Sequence, residues 1–292
     1  MRETLYFYDT KSFFDPHLTQ KTIMRLRTLL IALAAGLTLA SCVEDVEKQA
    51  KPYLLRARQS LGNQQYALAK LQLDSIKSLY PKAFETRKQA QDLFIEIQIA
   101  EARSSKHYTD SLLVEAKERA QAQASTLYLD KDARYQDLGH YYDARHRADR
   151  HSGKSYLRPQ VSELMGVFTI TSFYRGRPIE AQALRFTATD GSYIELLPVG
   201  DPYVMSDATG KTERTDFAAT ADVAYFVAQH PKATVTLIGK QGKVKLPFTS
   251  SDATALTRVA DLAAALQAAQ SLEAQQQELA RRIAFYEEKL AQ

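Results

Sequence analysis

Residues 183–197 read Ala-Leu-Arg-Phe-Thr-Ala-Thr-Asp-Gly-Ser-Tyr-Ile-Glu-Leu-Leu, with an apolar-rich run on either side of an Asp-Gly pair. Asp-Gly favours the primed turns whose backbone twist matches that of paired strands. This stretch therefore predicts a β-hairpin. Residues 234–248 predict a second hairpin, because Gly239-Lys-Gln-Gly242 separates two further apolar-rich runs.

Residues 167–174, which precede these hairpins, are rich in β-branched and aromatic side chains and predict an earlier strand. Residues 221–229 predict a short helix that ends before Pro231. We therefore interpret residues 157–250 as an antiparallel β domain of about five or six strands with one short helix.

Residues 251–292 contain neither Gly nor Pro and predict a long C-terminal helix. Heptad spacing places two rows of mainly apolar residues along it, Leu262, Ala269, Gln276, Ile283 and Leu290 on one row and Ala265, Leu272, Leu279 and Tyr286 on the other. The rows predict a short coiled coil over residues 252–292, within the chain or between copies in a homo-oligomer. The alternative is a helix that lies on its own domain.

Residues 42–127 predict a helical bundle, whose first apolar stripe ends at Gly62-Asn63. The next helix resembles the second helix of a tetratricopeptide repeat, a helical hairpin used for protein contact, in the spacing of Tyr66, Ala69, Leu73, Ile76 and Pro81. Gly62 departs from that motif, since it lies about two residues too far from Tyr66. The sequence accommodates about one and a half tetratricopeptide-like repeats, whereas a solenoid of such repeats needs about three. A single helical hairpin is therefore predicted.

A third helix is predicted at residues 84–100 and a fourth at 108–127, with Thr109 or Asp110 as the cap of the fourth. Four helices are enough to bury all of these apolar stripes. Residues 128–156 change character, because Tyr and His alternate there with Arg and Asp, and they predict a partly helical connector. The predicted fold class is α+β, with helical hairpins first, a mainly antiparallel β domain next and a long helix last.

Composition and charge exclude several classes of protein. With 45% hydrophobic and 10% aromatic residues, the chain has the composition of a folded protein. Without residues 1–41 it keeps 33 basic and 31 acidic residues, a net charge of +2 that argues against a nucleic-acid partner. Its one cysteine rules out an intrachain disulfide and a thiolate metal cluster.

Residues 24–41 have the layout of a secretory signal peptide. Arg25 and Arg27 precede an apolar run at residues 29–39, which is shorter than the roughly 20 residues that a permanent membrane-spanning helix needs. Leu39-Ala40-Ser41-Cys42 then resembles the lipobox of bacterial lipoproteins. The resemblance implies cleavage between Ser41 and Cys42, lipidation of Cys42 and anchoring to a membrane.

Two segments flank this signal. Residues 1–23 are polar and aromatic and displace the charged start of the signal inward, so we interpret them as a non-native upstream extension, with translation beginning at Met24. The acidic residues in 43–47 resemble a surface-export tag of lipoproteins in one group of Gram-negative bacteria. They equally suit the first turn of a helix, where the helix dipole favours negative charge, so the side of the outer membrane stays open.

The connector contains one pattern typical of a nucleotide-binding loop and one set of residue types that bind metals. Residues 148–155 match a relaxed phosphate-binding loop, but the sequence after them does not predict the helix that such a loop requires. The metal-ligating residue types there are His140, His146 and His151 with Asp143 and Asp149. The histidines lack the four-residue spacing of helical zinc sites, so no metal and no cofactor is predicted.

A hydrolase is the alternative function. No Gly-x-Ser-x-Gly elbow is present, and spacing alone does not select Glu163, Glu180, Glu195 or Asp201 as an acid or base. In the segment 155–166, which leads into the first predicted strand, Arg158 and Glu163 are interpreted as an ion pair that joins two domains or as a ligand contact. No catalytic residue is predicted.

The order of lipobox, helical hairpin, segment 155–166, sheet and terminal helix resembles a set of uncharacterised bacterial envelope lipoproteins, across most of residues 24–292. That resemblance brings no activity or functional residues. The sequence therefore favours a lipid-anchored, non-catalytic binding or scaffolding protein of the cell envelope that contacts protein partners through its helical hairpins. An envelope hydrolase with a site on the β domain remains the alternative.

Overall fold

The computed structural model describes residues 46–132, 134, 136–208 and 210–292. The predicted α+β class is confirmed, since helices come first, antiparallel sheets follow and a long helix comes last. By their contacts the described residues fall into two units, one of residues 46–102 with 282–292 and the other of residues 103–281.

The first unit is helical. Helix α1 covers residues 46–62, α2 is Tyr66–Leu79, and α3 begins in this unit and is Phe84–Ala124. The tight turn after α1 places Gln64 in the left-handed region, with φ of 59°. Small and aliphatic side chains of the three helices form one core, made of Ala50, Leu54, Ala57, Ala69, Leu73, Ile76, Ala83, Ala90, Leu93 and Ile97.

A side chain of α1 holds the start of α3. The Glu47 carboxylate accepts hydrogen bonds from the backbone N–H of Glu85 (3.0 Å) and of Thr86 (3.1 Å), and from the Thr86 hydroxyl (2.6 Å). The first N–H groups of a helix lack partners within it, and a carboxylate there also suits the helix dipole. Glu47, one of the acidic residues behind Cys42, therefore fixes the position of α3 against α1.

The prediction of separate third and fourth helices is wrong, because α3 runs without a break from Phe84 to Ala124. The polar stretch 101–107, which separates the two predicted helices, contains no Gly or Pro to stop a helix. Thr109 and Asp110, the predicted caps, lie inside the helix. Asp110 instead forms an ion pair with Lys106 one turn earlier, at 2.8 Å.

The second unit contains two sheets, and the described residues of its predicted β domain form eight strands, β3 to β10, where about five or six were predicted. The six-stranded sheet has the order β1-β2-β3-β4-β8-β7, built from Tyr128–Asp130, His140–Tyr142, Tyr156–Ser162, Phe168–Arg175, Gly210–Ala218 and Tyr203–Asp207. The four-stranded sheet has the order β10-β9-β5-β6, built from Gly242–Leu246, Thr234–Gly239, Ala181–Thr187 and Tyr193–Leu196. Every pair of neighbouring strands is antiparallel.

Both predicted hairpins are confirmed. Strands β5 and β6 pair in the register Leu184↔Leu196, around a turn in which Gly191 has φ of 88°. Strands β9 and β10 pair from Gly239↔Gly242 onward. The predicted short helix is also confirmed, as α4, Ala221–Gln229.

The connector 128–156 differs from its predicted partly helical form. It contains the strands β1 and β2 and two short 3₁₀ turns, Ala144–His146 and Ala148–His151, and it ends where β3 begins. The pairing of β2 with β3 makes this segment part of the six-stranded sheet. Tyr141 packs against the core of the second unit, whereas the neighbouring Tyr142 contacts Arg158 on the opposite face, an alternation with the period of a strand and not of a helix.

The terminal helix α5, Ser250–Leu290, begins at a capping box. The Thr249 N–H and hydroxyl both donate to the Asp252 carboxylate, each at 2.7 Å. Leu256, Val259 and Leu262 of α5 are fully buried in the core of the second unit, together with residues of both sheets and of α4.

Within the second unit, part of the predicted seam packs on α3 of the same chain. Ala265 and Ala269 are buried, Lys117 of α3 forms an ion pair with Glu273 (2.6 Å), and Gln276 donates to Asp110 (2.6 Å). These contacts give the intrachain form of the predicted helix pairing. Self-association through residues 252–292 stays a prediction.

Candidate functional site

A groove on the surface of α2 and α3 is the strongest candidate for a binding site. It has a volume of about 540 Å³, in the range of small ligand and peptide sites, and lies entirely within the first unit. Its lining residues are Leu73, Asp74, Ile76, Lys77, Phe84, Arg87, Lys88, Ala90, Gln91 and Phe94. Leu73, Ile76 and Ala90 belong to the core, so the floor of the groove is apolar and rigid.

Two aromatic side chains stand at the groove with much of their surface in water. Phe84 is 67% exposed and Phe94 37% exposed. The two residues lie ten positions apart on α3, close to three helical turns, so they lie on the same side of that helix. Exposed aromatic side chains beside a groove are typical of surfaces that contact another protein.

The groove is also basic. Lys77, Arg87 and Lys88 line it against the single acid Asp74. The Arg87 guanidinium donates to the Pro81 carbonyl at 2.8 Å, which fixes its direction. Among the described residues, Lys77 and Lys88 have no ion-pair partner, so two ammonium groups are available to an acidic ligand.

The connector residues of metal-ligating type, for which no metal site was predicted, make other contacts. The buried Asp143 carboxylate accepts from Arg145 (2.8 Å) and from Arg258 of α5 (2.9 Å). The buried His146 ring pairs through Nε2 with Asp252 at 2.9 Å. In the part of the chain that the structure describes, no group of three or more His, Cys, Asp or Glu residues has the geometry to hold a metal ion.

This network joins the connector to the start of α5. Arg258 also donates to the Thr126 carbonyl, and Arg145 to the Ser251 hydroxyl. Hydrogen bonds from Arg145, with the charge of Arg258, hold the pKa of Asp143 at about 2, below its ordinary 3.8. The role of these residues is structural, because the carboxylates are already paired with cations.

The Asp143 network predicts a pH dependence of stability. A carboxyl group whose pKa is lower in the folded chain stabilises it above the unfolded pKa, and the effect is lost as the pH falls from about 4 towards 2. Asp143→Asn is therefore expected to cost about 2 kcal/mol of unfolding free energy at pH 7, and much less near pH 2.5. Urea unfolding of both proteins at the two pH values measures this, and a difference that does not change with pH would contradict it.

The predicted ion pair between Arg158 and Glu163 is wrong. Glu163 pairs with Lys131 at 2.7 Å and accepts from the Gly139 N–H at 3.2 Å. Arg158 instead lies against the rings of Tyr142 and Phe173. Strand pairing explains the difference: alternation puts Arg158 on the outer face of β3, whereas Glu163 follows the end of that strand.

The carboxylates considered for hydrolysis are not assembled with a histidine. Glu180 and Asp201 line a cavity of about 450 Å³ with Glu213 and Lys240. Glu180 pairs with Lys240 at 3.4 Å, and Glu195 pairs with Arg185 at 2.7 Å elsewhere on the four-stranded sheet. Residues 148–155, which match the relaxed phosphate loop, lead into strand β3 and not into the helix that such a loop requires.

The lipidation and cleavage residues Cys42 and Ser41, with the whole predicted signal, lie outside the described residues. Sequence reasoning missed the groove residues Phe84, Lys77 and Lys88 as candidates. Nothing in a single sequence marks an exposed phenylalanine as different from a buried one. Four basic residues near two aromatic residues, at 77–88, were the available signal.

The chain matches no family model, no curated protein and no solved structure. Among the helices of the described residues, none combines the length and the apolar composition that crossing a membrane would require.

Proposed function

We propose that this protein is a non-catalytic binding protein, held at the outer membrane of a bacterial cell envelope by lipid on Cys42, which takes a segment of a partner protein into the groove on α2 and α3. The observation that carries the proposal is the groove itself, with an apolar floor, exposed aromatic side chains at Phe84 and Phe94, and unpaired Lys77 and Lys88. The layout of residues 24–42 supports the location.

The occupant is an acidic segment with at least one apolar side chain. The groove carries three basic residues and one acid, and opposite charge steers a partner towards such a surface and fixes its register. The apolar floor buries the apolar side chain, while Phe84 and Phe94 close over it. The resemblance of the second helix to a tetratricopeptide repeat, a hairpin used for protein contact, favours the same role.

The hydrolase alternative has less support. In the cavity that contains Glu180 and Asp201, the Glu213 carboxylate already accepts three backbone N–H groups, at 2.6, 3.1 and 2.7 Å. A carboxylate held in this way acts as a structural acceptor, because three of its roughly four lone-pair sites are already used by the backbone. The cavity lining as described contains no histidine.

Site-specific photocrosslinking in intact cells tests the proposal. A photoreactive phenylalanine analogue at Gln91, in the groove, is expected to give a discrete adduct with another protein, whereas the analogue at Leu55, which is 70% exposed on α1, is expected to give none. Reversing charge with Lys77→Glu and Lys88→Glu should reduce the adduct about fivefold or more.

The matched control reverses two exposed charges on α1, Lys51→Glu with Arg58→Glu, for the same change in net charge, and should leave the adduct in place. Three results would overturn the proposal: no adduct that depends on the groove, an adduct with a second copy of this chain, or an adduct with residues 42–45 of the chain itself.

A further inference from the structure

The outer face of the six-stranded sheet carries a row of stacked rings. Leu157 and Val161 of β3 point into the core, so alternation places Tyr156 and Arg158 on the opposite face. The His151 and Tyr156 rings stack at 4.2 Å between centroids, and the Tyr156 and Phe173 rings at 4.5 Å. The Tyr156 and Phe173 rings are themselves buried, so the row forms a rigid support for the side chains that lie against it.

Two arginines lie against this row. The guanidinium carbon of Arg158 is 4.7 Å from the centroid of the Tyr142 ring and 4.9 Å from that of Phe173. Arg214, directly opposite Phe173 in the register of β4 and β8, has its guanidinium carbon 6.0 Å from the same ring. Contact with ring faces favours a cation and holds the planar group in one orientation.

Arg158 differs from Arg214 in having no anionic partner. Arg214 donates to the Asp216 carboxylate at 3.1 Å, and the nearby Asp130 carboxylate accepts from the Tyr142 hydroxyl at 2.8 Å. The Nε of Arg158 is buried without a hydrogen-bond partner, and within the described ranges no group accepts a hydrogen bond from its guanidinium. A partly buried guanidinium with no acceptor among the described residues favours an anionic partner.

His140 does not complete the site. Burial, and then the charges of Arg158 and Arg214, lower the pKa of His140, so the ring is neutral at neutral pH. Of the cations that face one another here, Arg214 is neutralised by Asp216, and Arg158 is left to attract an anion.

A cavity lies beside Arg214, whose guanidinium is near the same Phe173 ring as that of Arg158. It has a volume of about 340 Å³ and is lined by Val199, Gly200, Asp201, Tyr203, Arg214 and Asp216. The volume suits a small molecule. The carboxylates of Asp201 and Asp216 disfavour a doubly charged anion, whereas a singly charged carboxylate matches the planar fork of one arginine.

We propose that the outer face of the six-stranded sheet binds the carboxylate group of a small ligand through the Arg158 guanidinium, with the rest of the ligand in the cavity beside Arg214. The site lies in the second unit and does not depend on the groove of the helical unit. It adds to a partner-binding protein a pocket for a low-molecular-weight carboxylic acid.

Isothermal titration calorimetry on the purified full-length protein tests this proposal with three probes. N-acetyl-L-alanine offers a carboxylate, its carboxamide offers the same shape without the charge, and inorganic phosphate offers a different anion. The carboxylate is expected to bind about tenfold or more tightly than the carboxamide, and more tightly than phosphate. Equal binding of the first two, or tighter binding of phosphate, would overturn the proposal.

Arg158→Lys keeps the charge and removes the planar fork, so it is expected to weaken carboxylate binding about tenfold. Arg185→Lys is the matched control, because Arg185 also lies over a ring, that of Tyr193 at 4.4 Å, but is already paired with Glu195. It should bind like the wild type. Urea unfolding verifies that both variants fold, and unchanged carboxylate binding by folded Arg158→Lys would overturn the assignment.

Discussion

Replacing Glu213 with alanine is expected to lower the free energy of unfolding by about 4 kcal/mol, a large part of the stability of an ordinary domain. Glu213 lies on β8 of the six-stranded sheet and is 1% exposed. Its carboxylate accepts from the backbone N–H groups of Ile179, Glu180 and Ala181, which lead into β5 of the four-stranded sheet. One side chain therefore joins the two sheets.

The backbone at this junction depends on that carboxylate. Glu180 has φ of 56°, in the left-handed region that residues other than glycine rarely adopt. No other strand pairs with the N–H groups of Ile179 and Glu180, so alanine at position 213 would leave buried donors without an acceptor. The strained turn would then lose the contacts that hold it.

Urea unfolding of the variants measures the effect. Glu213→Gln, which keeps the shape, is expected to cost about 2 kcal/mol, because an amide NH₂ must face at least one of the N–H donors. Glu195→Gln is the control, since this carboxylate is more exposed and makes only an ion pair, and it should cost about 0.5 kcal/mol or less. A loss at position 213 no greater than the control would contradict the role of Glu213.

Replacing Cys42 with alanine is expected to abolish incorporation of radiolabelled fatty acid entirely. The thiol is the only one in the chain, so no other side chain can form the thioether to diacylglycerol. Each buried methylene contributes about 0.8 kcal/mol, and several acyl chains give stable membrane binding where a single chain does not. Replacing the cysteine is therefore expected to abolish membrane anchoring and not only to weaken it.

Ser41→Ala is the matched control for this experiment, since it keeps a small residue beside the cleavage point and the cysteine in place, and it should be labelled like the wild type. A gene that begins at Met24 should also give labelled protein, because residues 1–23 are not part of the predicted signal. Label that persists in Cys42→Ala would refute lipidation at this residue.

Local sequence patterns predicted the elements that depend on local chemistry. The Asp-Gly pair at 190–191 located the β5–β6 hairpin because the turn is set by its own residues. The Gly- and Pro-free run from 251 located α5, and the apolar stripe at Ala69, Leu73 and Ile76 is buried as its period indicated. In these elements propensity and tertiary packing agree.

The predictions failed where distant residues decide the structure. Strand β8 contains three charged residues, Glu213, Arg214 and Asp216. The buried Glu213 carboxylate accepts hydrogen bonds from backbone N–H groups more than thirty positions away. The charged composition of β8 gave no sign of a central strand. Strand β3 contains Arg158 and Pro159, and α3 continues through a polar stretch that resembles a loop. Long-range pairing overrides local preference in the two strands, whereas α3 continues because its polar stretch contains no Gly or Pro.

The candidate sites were harder to predict than the fold. Phe84, Lys77 and Lys88 converge because α2 and α3 pack at a particular angle, and Arg158 is unpaired because β3 turns it away from Glu163. Neither arrangement is encoded in the spacing of the residues concerned.

The intact mass of the protein extracted from the membrane fraction tests most directly whether the protein is lipid-anchored. We expect a chain that begins at Cys42 and carries the added mass of diacylglycerol and an N-terminal acyl group. A chain that retains residues before Cys42, or one with an unmodified cysteine, would contradict it.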